Sequence, residues 1–206
     1  MAMSDALKRW NDRFSAPGYV FGTAANKFLA AQKRHLKAGQ RALAIADGEG
    51  RNGIWLAQQG LHVTSVDFSP IAIEKAKKRA AELGVALDLV VADLGVWAWP
   101  KAAFDVVAGI FFQFASPDER AAIFRNMKAA LKPGGLVIIE GYGPKQLEYK
   151  TGGPGVLENL YTVDLLRDAF GDFEILELSA YDAEIAEGEG HKGMSALVDL
   201  VARKPG

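Results

Sequence analysis

Short apolar runs alternate with longer amphipathic segments over most of the chain. The apolar runs have the length of buried β-strands, and in the segments between them the apolar residues recur at helical spacing. The predicted strands are 41–46, 61–66, 86–91, 104–110 and 136–140. Strands that alternate with helices usually form a parallel sheet whose connections are crossover helices. The pattern therefore predicts an α/β domain.

Capping residues indicate where several helices begin. Ser69 precedes Pro70, and the segment Ser-Pro-Asp-Glu at 116–119 combines a capping box with proline at the first helical position. Gly39, Gly60 and Gly84 follow predicted helices and end them. The predicted helices are 4–14, 26–38, 52–59, 70–83, 117–131 and 162–169.

The pattern changes after residue 140. Residues 141–160 are rich in Gly, Pro and Tyr and have no clear periodicity, which favours a lid or substrate loop. Two further strands are predicted at 173–180 and 195–202, with a loop at 182–193; adjacent strands without a helix between them should be antiparallel. We therefore predict one domain over 1–206, a Rossmann-like, doubly wound sheet of seven strands. The sheet is mostly parallel with an antiparallel C-terminal strand, and residues 1–40 form an N-terminal helical segment.

The amino-acid composition argues against several classes of function. The chain has 206 residues, half of them hydrophobic, and a net charge of −1, which disfavours a nucleic-acid-binding protein. The lack of cysteine excludes a disulfide scaffold, a cysteine zinc site and a cysteine nucleophile, and we predict no metal site. No apolar run reaches about 18 residues, and the first 13 residues lack an apolar signal core. We expect a cytoplasmic protein without membrane contact; the oligomeric state stays open.

The segment 46–53, "ADGEGRNG", places three glycines in the G-x-G-x-x-G pattern between the first predicted strand and a helix. Glycines at this spacing allow a tight turn that brings the backbone close to a nucleotide. Asp67 ends the second predicted strand about twenty residues later, where a carboxylate accepts hydrogen bonds from ribose hydroxyls. The spacing alone is typical of nicotinamide dinucleotide proteins.

The acidic residues of this loop favour a different ligand. Asp47 and Glu49 would lie close to a pyrophosphate, and like charges at that distance cost on the order of 1 kcal/mol or more. Arg51 offsets one of them. S-adenosylmethionine carries an adenosine but no phosphate, and its sulfonium and amino groups are cationic. Tyr142 and Lys145 also lack the Tyr-x-x-x-Lys spacing of short-chain dehydrogenases.

The chain resembles the class I S-adenosylmethionine-dependent methyltransferases over nearly its full length. The matching segments are "ALAIADGEGRNGIWLAQQG" (42–60), "VTSVDFSPIAIEKAK" (63–77), "VVADL" (90–94), "FDVVAGIFFQF" (104–114) and "LKPGGLVIIEGY" (131–142). Two other segments, "GYVFGTAANKFL" (18–29) and "EGYGPKQLEYKTGGPG" (140–155), resemble the tellurite-resistance and thiopurine-like branch. The chain departs from the family where Ala44 replaces an acidic residue and Ala46 a glycine. The acid has in effect moved to Asp47 or Glu49.

These features together predict a binding site for S-adenosylmethionine. Asp67 is expected to accept from the ribose, Phe68 to lie against adenine, and Arg51 and Asn52 to hold the methionine carboxylate with free helical N–H groups. The resemblance implies that Asp93 accepts from the adenine amino group beside Leu94. The full predicted set is Asp47, Gly48, Glu49, Gly50, Arg51, Asn52, Asp67, Phe68, Ser69, Asp93 and Leu94.

The acceptor site is predicted from polar and aromatic residues outside this set. The candidates are Tyr19, Gln113, Tyr142, Tyr149 and His191, of which His191 is the candidate base. Methyl transfer has a neutral leaving group, so alignment of donor and acceptor is the main requirement. The branch resemblance suggests a small thiol or chalcogen oxyanion as acceptor. A non-catalytic cofactor-binding protein and an NAD(P)-dependent oxidoreductase remain as alternatives.

Overall fold

A computed structural model describes residues 4–206 and shows a seven-stranded sheet in the order β3-β2-β1-β4-β5-β7-β6. Strands β1 to β5 pair in parallel, whereas β7 is antiparallel to both of its neighbours, β5 and β6. This arrangement confirms the predicted fold class. The strands are β1 (Arg41–Ile45), β2 (His62–Asp67), β3 (Asp88–Val91), β4 (Phe104–Ile110), β5 (Leu131–Tyr142), β6 (Glu174–Ala186) and β7 (Lys192–Arg203).

Helices connect the strands and precede β1. They are α1 (Asp5–Phe14), α2 (Lys27–Ala31), α3 (Arg51–Gln58), α4 (Pro70–Glu82), α5 (Pro117–Ala130), α6 (Gln146–Tyr149) and α7 (Val163–Ala169), with 3₁₀ turns at Gln32–His35 and Leu157–Asn159. The Ser69 side chain accepts from the Ala72 N–H, and Ser116 and Glu119 form the expected capping box. None of the helices within residues 4–206 combines the length and the apolar character needed to cross a bilayer.

The sheet separates two apolar layers. Leu43 and Ile45 of β1 face one layer, which includes residues of α5 and α7. Ala42 and Ala44 face the other, which includes residues of α2 and α3. Alternate side chains of a strand point to opposite faces, and here both faces are covered. This explains why the central strands have continuous apolar sequences.

Two element boundaries differ from the sequence prediction. The predicted helix 26–38 is shorter, because α2 ends at Ala31 and a 3₁₀ turn follows. The predicted loop 182–193 is wrong for most of its length, since β6 continues to Ala186 and β7 begins at Lys192. These strands lie towards the edge of the sheet, and much of β6 is only partly buried, so its sequence lacks the apolar run of a central strand.

The segment 141–160 is more ordered in secondary structure than a plain connecting loop. It begins within β5, continues into α6 and ends in a 3₁₀ turn. The buried Gln146 side chain accepts from the Ala196 N–H and donates to the Thr151 hydroxyl. Its role as a lid stays a prediction.

Candidate functional site

The carboxyl ends of the central parallel strands open into a cavity of about 630 Å³. Ligands of open α/β sheets bind at this edge. One end of the cavity, which we call the glycine-loop end, is lined by residues 46–49, 51–52, 67–68 and 92–94. The other, which we call the aromatic end, is lined by Phe21, Phe111, Tyr142 and His191. Helix α1 contributes Trp10, Arg13 and Phe14.

The glycines of the loop after β1 serve two different purposes. Gly48 has φ +57° and donates its N–H to the Asp67 carboxylate, with the Phe14 ring packed against its Cα. Gly50 has φ +83°, and a Cβ there would lie 2.7 Å from Cβ of Ala76. Gly50 is not among the residues that line the cavity, and it lets α4 pack close to the loop. Its cofactor contact stays a prediction.

Asp67, the last residue of β2, and Phe68, directly after it, lie in the cavity wall. The Asp67 carboxylate accepts from the N–H groups of Gly48 and Ser69, each at 2.9 Å. Burial raises the pKa of Asp67 to about 6, although these hydrogen bonds favour its charged form. Each carboxylate oxygen keeps a lone pair beyond these bonds, which gives Asp67 capacity for hydroxyl donors in the cavity.

The two acidic residues of the loop already have protein partners. Asp47 accepts from the Gly53 N–H at 3.0 Å and from the Ser65 hydroxyl at 2.7 Å. It thereby fixes the first turn of α3 to β2, and burial raises its pKa to about 7.

Glu49 instead connects the N-terminal segment to α4. Its carboxylate accepts from the Val20 N–H at 2.7 Å and pairs with Lys75 at 2.8 Å. The predicted contacts of Asp47 and Glu49 with a cationic ligand are therefore unsupported. Because Lys75 neutralises Glu49, a pyrophosphate would also meet less negative charge than the sequence indicates.

Arg51 and Asn52 begin α3 in the cavity wall. The Arg51 guanidinium is committed to Glu187 in a buried ion pair at 2.7 Å, and Asn52 Oδ1 accepts from the Asn26 N–H. Their backbone N–H groups have no acceptor among residues 4–206. These side chains therefore hold neighbouring segments, while the helix end keeps two free donors for an anion.

The remaining cofactor candidates divide into two groups. Asp93 and Leu94 line the cavity, and Asp93 Oδ1 accepts from the Gly95 N–H at 2.8 Å. Ser69 is buried outside the cavity wall, where its hydroxyl caps α4 and donates to Asn11. The cap and Asn11 already use its hydroxyl, and its cofactor contact stays a prediction.

Tyr142 and His191 come together at the aromatic end, although they are far apart in sequence. The Tyr142 hydroxyl lies 2.5 Å from His191 Nδ1. The His191 ring stacks between Phe21 and Phe111, with centroid distances of 4.5 and 4.3 Å. Burial, and then the charges of Arg51 and Arg13, lowers the pKa of His191 to about 3. The imidazole is therefore neutral near pH 7.

Three other acceptor-site candidates have different roles. The Gln113 amide lies at the cavity wall, but it donates to the Tyr142 carbonyl at 2.8 Å and accepts from the Tyr142 N–H at 2.5 Å, so it holds the end of β5. Tyr149 lies outside the cavity and donates to Asp182 at 2.9 Å. Tyr19 also lies outside, beneath the cations of Lys75 and Arg79. The structure does not bring Tyr19 and Tyr149 into the cavity wall, and their pocket roles stay predictions.

The contribution of the N-terminal segment is missing from the sequence prediction. Trp10 and Phe14 stack on each other with ring centroids 5.4 Å apart, and both line the cavity with Phe21. Their spacing of four residues puts them on one face of α1, which is a sequence signal for a packed face. Nothing in that signal indicates that the face covers a cavity. Phe111, which also lines the cavity, adopts φ +54° at the end of β4.

A family model described as a methyltransferase domain matches residues 42–135, which contain the glycine loop, Asp67 and Asp93. Residues 42–135 are therefore similar to the methyltransferase domain of the class I S-adenosylmethionine-dependent methyltransferases. The resemblance of the sequence to this family is thereby confirmed, and S-adenosylmethionine is the cofactor of the family.

Curated relatives and solved structures agree with this assignment. The chain is 33% identical over 112 residues to phosphoethanolamine N-methyltransferase 1 of Arabidopsis thaliana, covering 54% of this chain and 23% of the relative. It is 31% identical over 132 residues to carboxy-S-adenosyl-L-methionine synthase of Aeromonas hydrophila, covering 61% of this chain and 51% of the relative. The chain thus spans about half or less of the length of these relatives.

The fold is also similar to that of TehB from Haemophilus influenzae. The TM-score is 0.74 at 20% identity, over 88% of this chain and 63% of TehB. This likeness concerns the fold, and the narrower resemblance to the tellurite-resistance branch stays a prediction.

Proposed function

We propose that the chain transfers a methyl group from S-adenosylmethionine to a small-molecule acceptor. The observation that carries this proposal is the single cavity that joins the glycine-loop end to the aromatic end. The relatives named for phosphoethanolamine methylation and carboxy-S-adenosylmethionine synthesis support an acceptor of small size.

The donor set at the glycine-loop end fits the cofactor. Asp67 would accept from the ribose hydroxyls, and Phe68 would lie against adenine, with Asp93 and Leu94 at its edge. The free N–H groups at the start of α3 would hold the methionine carboxylate. A dinucleotide fits less well, because the Arg51 guanidinium is already paired with Glu187 and is not free for a pyrophosphate.

The bound cofactor supplies an electrophilic methyl group on a sulfonium. The residues of this chain position the acceptor and keep water away from it. His191 is a weak base, because its pKa is about 3. Moving a proton to it from a thiol of ordinary pKa is uphill by about 5 pK units, or about 7 kcal/mol. This cost favours an acceptor that is already an anion when it reacts, such as a thiolate or a chalcogen oxyanion.

Thermal shifts with S-adenosylhomocysteine, NAD and NADP test the cofactor assignment. A ligand at about 100 times its dissociation constant adds roughly 2.7 kcal/mol, which raises Tm by roughly 5–10 °C for a chain of this size. We expect a shift with S-adenosylhomocysteine alone, lost in Asp67→Ala and kept in the exposed control Asp88→Ala. A rise in Tm with NAD or NADP alone would instead indicate an oxidoreductase.

A panel of thiols and chalcogen oxyanions then tests transfer, with S-adenosylhomocysteine release as the readout. Tight cofactor binding without turnover on any acceptor would favour the non-catalytic binding protein.

A further inference from the structure

Arg13 is a cation without an anionic partner at the cavity wall. Its guanidinium lies 5.3 Å from the Trp10 ring centroid and 4.8 Å from that of Phe21. No carboxylate or other hydrogen-bond acceptor binds it among residues 4–206. Arg13 is an exposed residue, and its partial burial against these rings lowers its pKa, while the nearby Tyr142 acts in the opposite direction.

Two other cations near the site, Arg51 and Lys75, are already paired. Arg51 binds Glu187, and Lys75 binds Glu49 and two backbone carbonyls. Since the start of α3 keeps two free N–H groups for the cofactor carboxylate, Arg13 is available for a second anion.

Arg13 lies next to residues of the aromatic end. Phe21 touches both the guanidinium and the His191 ring, at 4.8 and 4.5 Å between centres. A Cβ at Gly190 would lie 2.3 Å from a Phe21 ring carbon and 2.9 Å from Arg13 Nη2. The missing side chain at Gly190 therefore lets the guanidinium approach the residue that precedes His191.

We infer that Arg13, held against Phe21 beside Gly190, binds the reacting anion of the acceptor, a thiolate. The inference rests on the proposed function and deepens it. In the transfer, the acceptor sulfur forms a bond to the methyl carbon as the carbon–sulfonium bond breaks, and that electron pair stays on the departing sulfur. An anion and a cation become two neutral thioethers, so no proton moves. The methylated product loses its attraction to Arg13, which favours its release.

Binding of 4-nitrobenzenethiolate to the S-adenosylhomocysteine complex tests this site without turnover. This aromatic thiol is ionised at pH 7, and its methyl thioether is the neutral comparison. We expect calorimetry to show the thiolate binding about 10- to 100-fold more weakly to Arg13→Gln, the range for a lost hydrogen bond to a charged group. Binding of the neutral thioether should change less than threefold. Arg13→Lys should recover part of the thiolate affinity.

Arg9→Gln is the matched control, since Arg9 lies one turn earlier on α1, also at the cavity wall. It should change thiolate affinity less than threefold. An equal loss in Arg9→Gln and Arg13→Gln would overturn the inference, as would equal affinity of wild type and Arg13→Gln for the thiolate. A tenfold loss of S-adenosylhomocysteine affinity in Arg13→Gln, with thiolate affinity unchanged, would assign Arg13 to the cofactor instead.

The pH dependence of turnover gives a second readout that a structural role would not change. With an alkyl thiol at saturating concentration, the rise of kcat should move up by about one pH unit or more in Arg13→Gln, because an adjacent cation favours the thiolate form of the bound acceptor. An unchanged profile would contradict the inference. Arg13-dependent thiolate binding without any methyl transfer would uphold the site and refute the proposed function.

Discussion

The two ends of the cavity are assembled in different ways. At the glycine-loop end, Gly48, Asp67 and Asp93 each follow a neighbouring parallel strand, within one stretch of the chain. At the aromatic end, Phe21 comes from the N-terminal segment and His191 from the last hairpin turn. Local sequence patterns therefore indicate the first end, whereas long-range packing creates the second.

Arg51 and Glu187 join the two ends, and breaking their buried pair should have the largest effect. Arg51→Met leaves the buried Glu187 carboxylate without its cation, with only the Asn26 amide and the Lys27 N–H as donors, which should lower the free energy of unfolding by about 3–5 kcal/mol. Urea denaturation measures the loss. The double variant Arg51→Met/Glu187→Leu should recover much of it.

Arg34→Met is the control for this prediction, because the Arg34–Glu177 pair is largely exposed. It should cost less than about 1 kcal/mol. If Arg51→Met and Arg34→Met lowered the free energy of unfolding by the same amount, the two ends of the cavity would fold independently of the Arg51–Glu187 pair.

Asp47 should make stability depend on pH at the glycine-loop end. Its folded pKa of about 7 lies above the ordinary value of 3.8, so between these pH values the folded state binds more protons than the unfolded state. Stability therefore falls as pH rises from about 4 to 7, by up to about 4 kcal/mol for this group.

Asp47→Asn should remove this pH-dependent contribution to stability. Denaturation at pH 4.5 and at pH 7.5 measures the free energy of unfolding of this variant, of wild type and of the exposed control Asp88→Asn. A steeper fall of stability with pH in Asp47→Asn than in wild type would contradict the assigned sign.

Phe68→Ala should weaken cofactor binding at the glycine-loop end and leave acceptor binding at the aromatic end nearly unchanged. Loss of a stacked aromatic ring costs about 1–3 kcal/mol per base, so S-adenosylhomocysteine should bind roughly 5- to 100-fold more weakly by calorimetry. The acceptor KM should change little at saturating cofactor. Phe114→Ala, at a half-exposed position of the cavity wall, is the control. A larger change in acceptor KM than in cofactor affinity would place Phe68 at the aromatic end.

Tyr142→Phe should have the smallest effect of the four. It removes the hydroxyl that holds His191 Nδ1 and keeps the buried ring. A neutral hydrogen bond contributes about 1 kcal/mol, so kcat/KM for the acceptor should fall about fivefold. S-adenosylhomocysteine affinity should stay within twofold of wild type. A fall of a thousandfold would instead indicate that the hydroxyl takes part directly in the transfer.

The sequence predicted the fold well because each central strand is buried on both faces and each crossover helix carries its own caps. Ser69 and Ser116 show this most clearly. The same logic failed for residues 182–193, where partly exposed strands have no apolar run to distinguish them from a loop.

At the site, sequence reasoning located residues but not the direction of their side chains. Asp67 and Phe68 lie in the cavity wall as expected, because a residue that follows a parallel strand emerges at the same edge as its neighbours. Asp47 and Glu49 occupy the same loop, yet Ser65 and Lys75 bind them from other elements. Charge in a sequence does not reveal which charges are already neutralised in the folded chain.

By itself the sequence determined the parallel sheet, the glycine loop and the acidic end of β2, since these depend on backbone conformation and on neighbours along the chain. Tertiary structure alone decided that Arg13 lacks an anion, that Arg51 has one, and that His191 stacks between Phe21 and Phe111. Those properties depend on desolvation and on tertiary contacts, of which Arg51–Glu187 and Phe21–His191 join residues more than a hundred positions apart, and the linear pattern holds no signal for them.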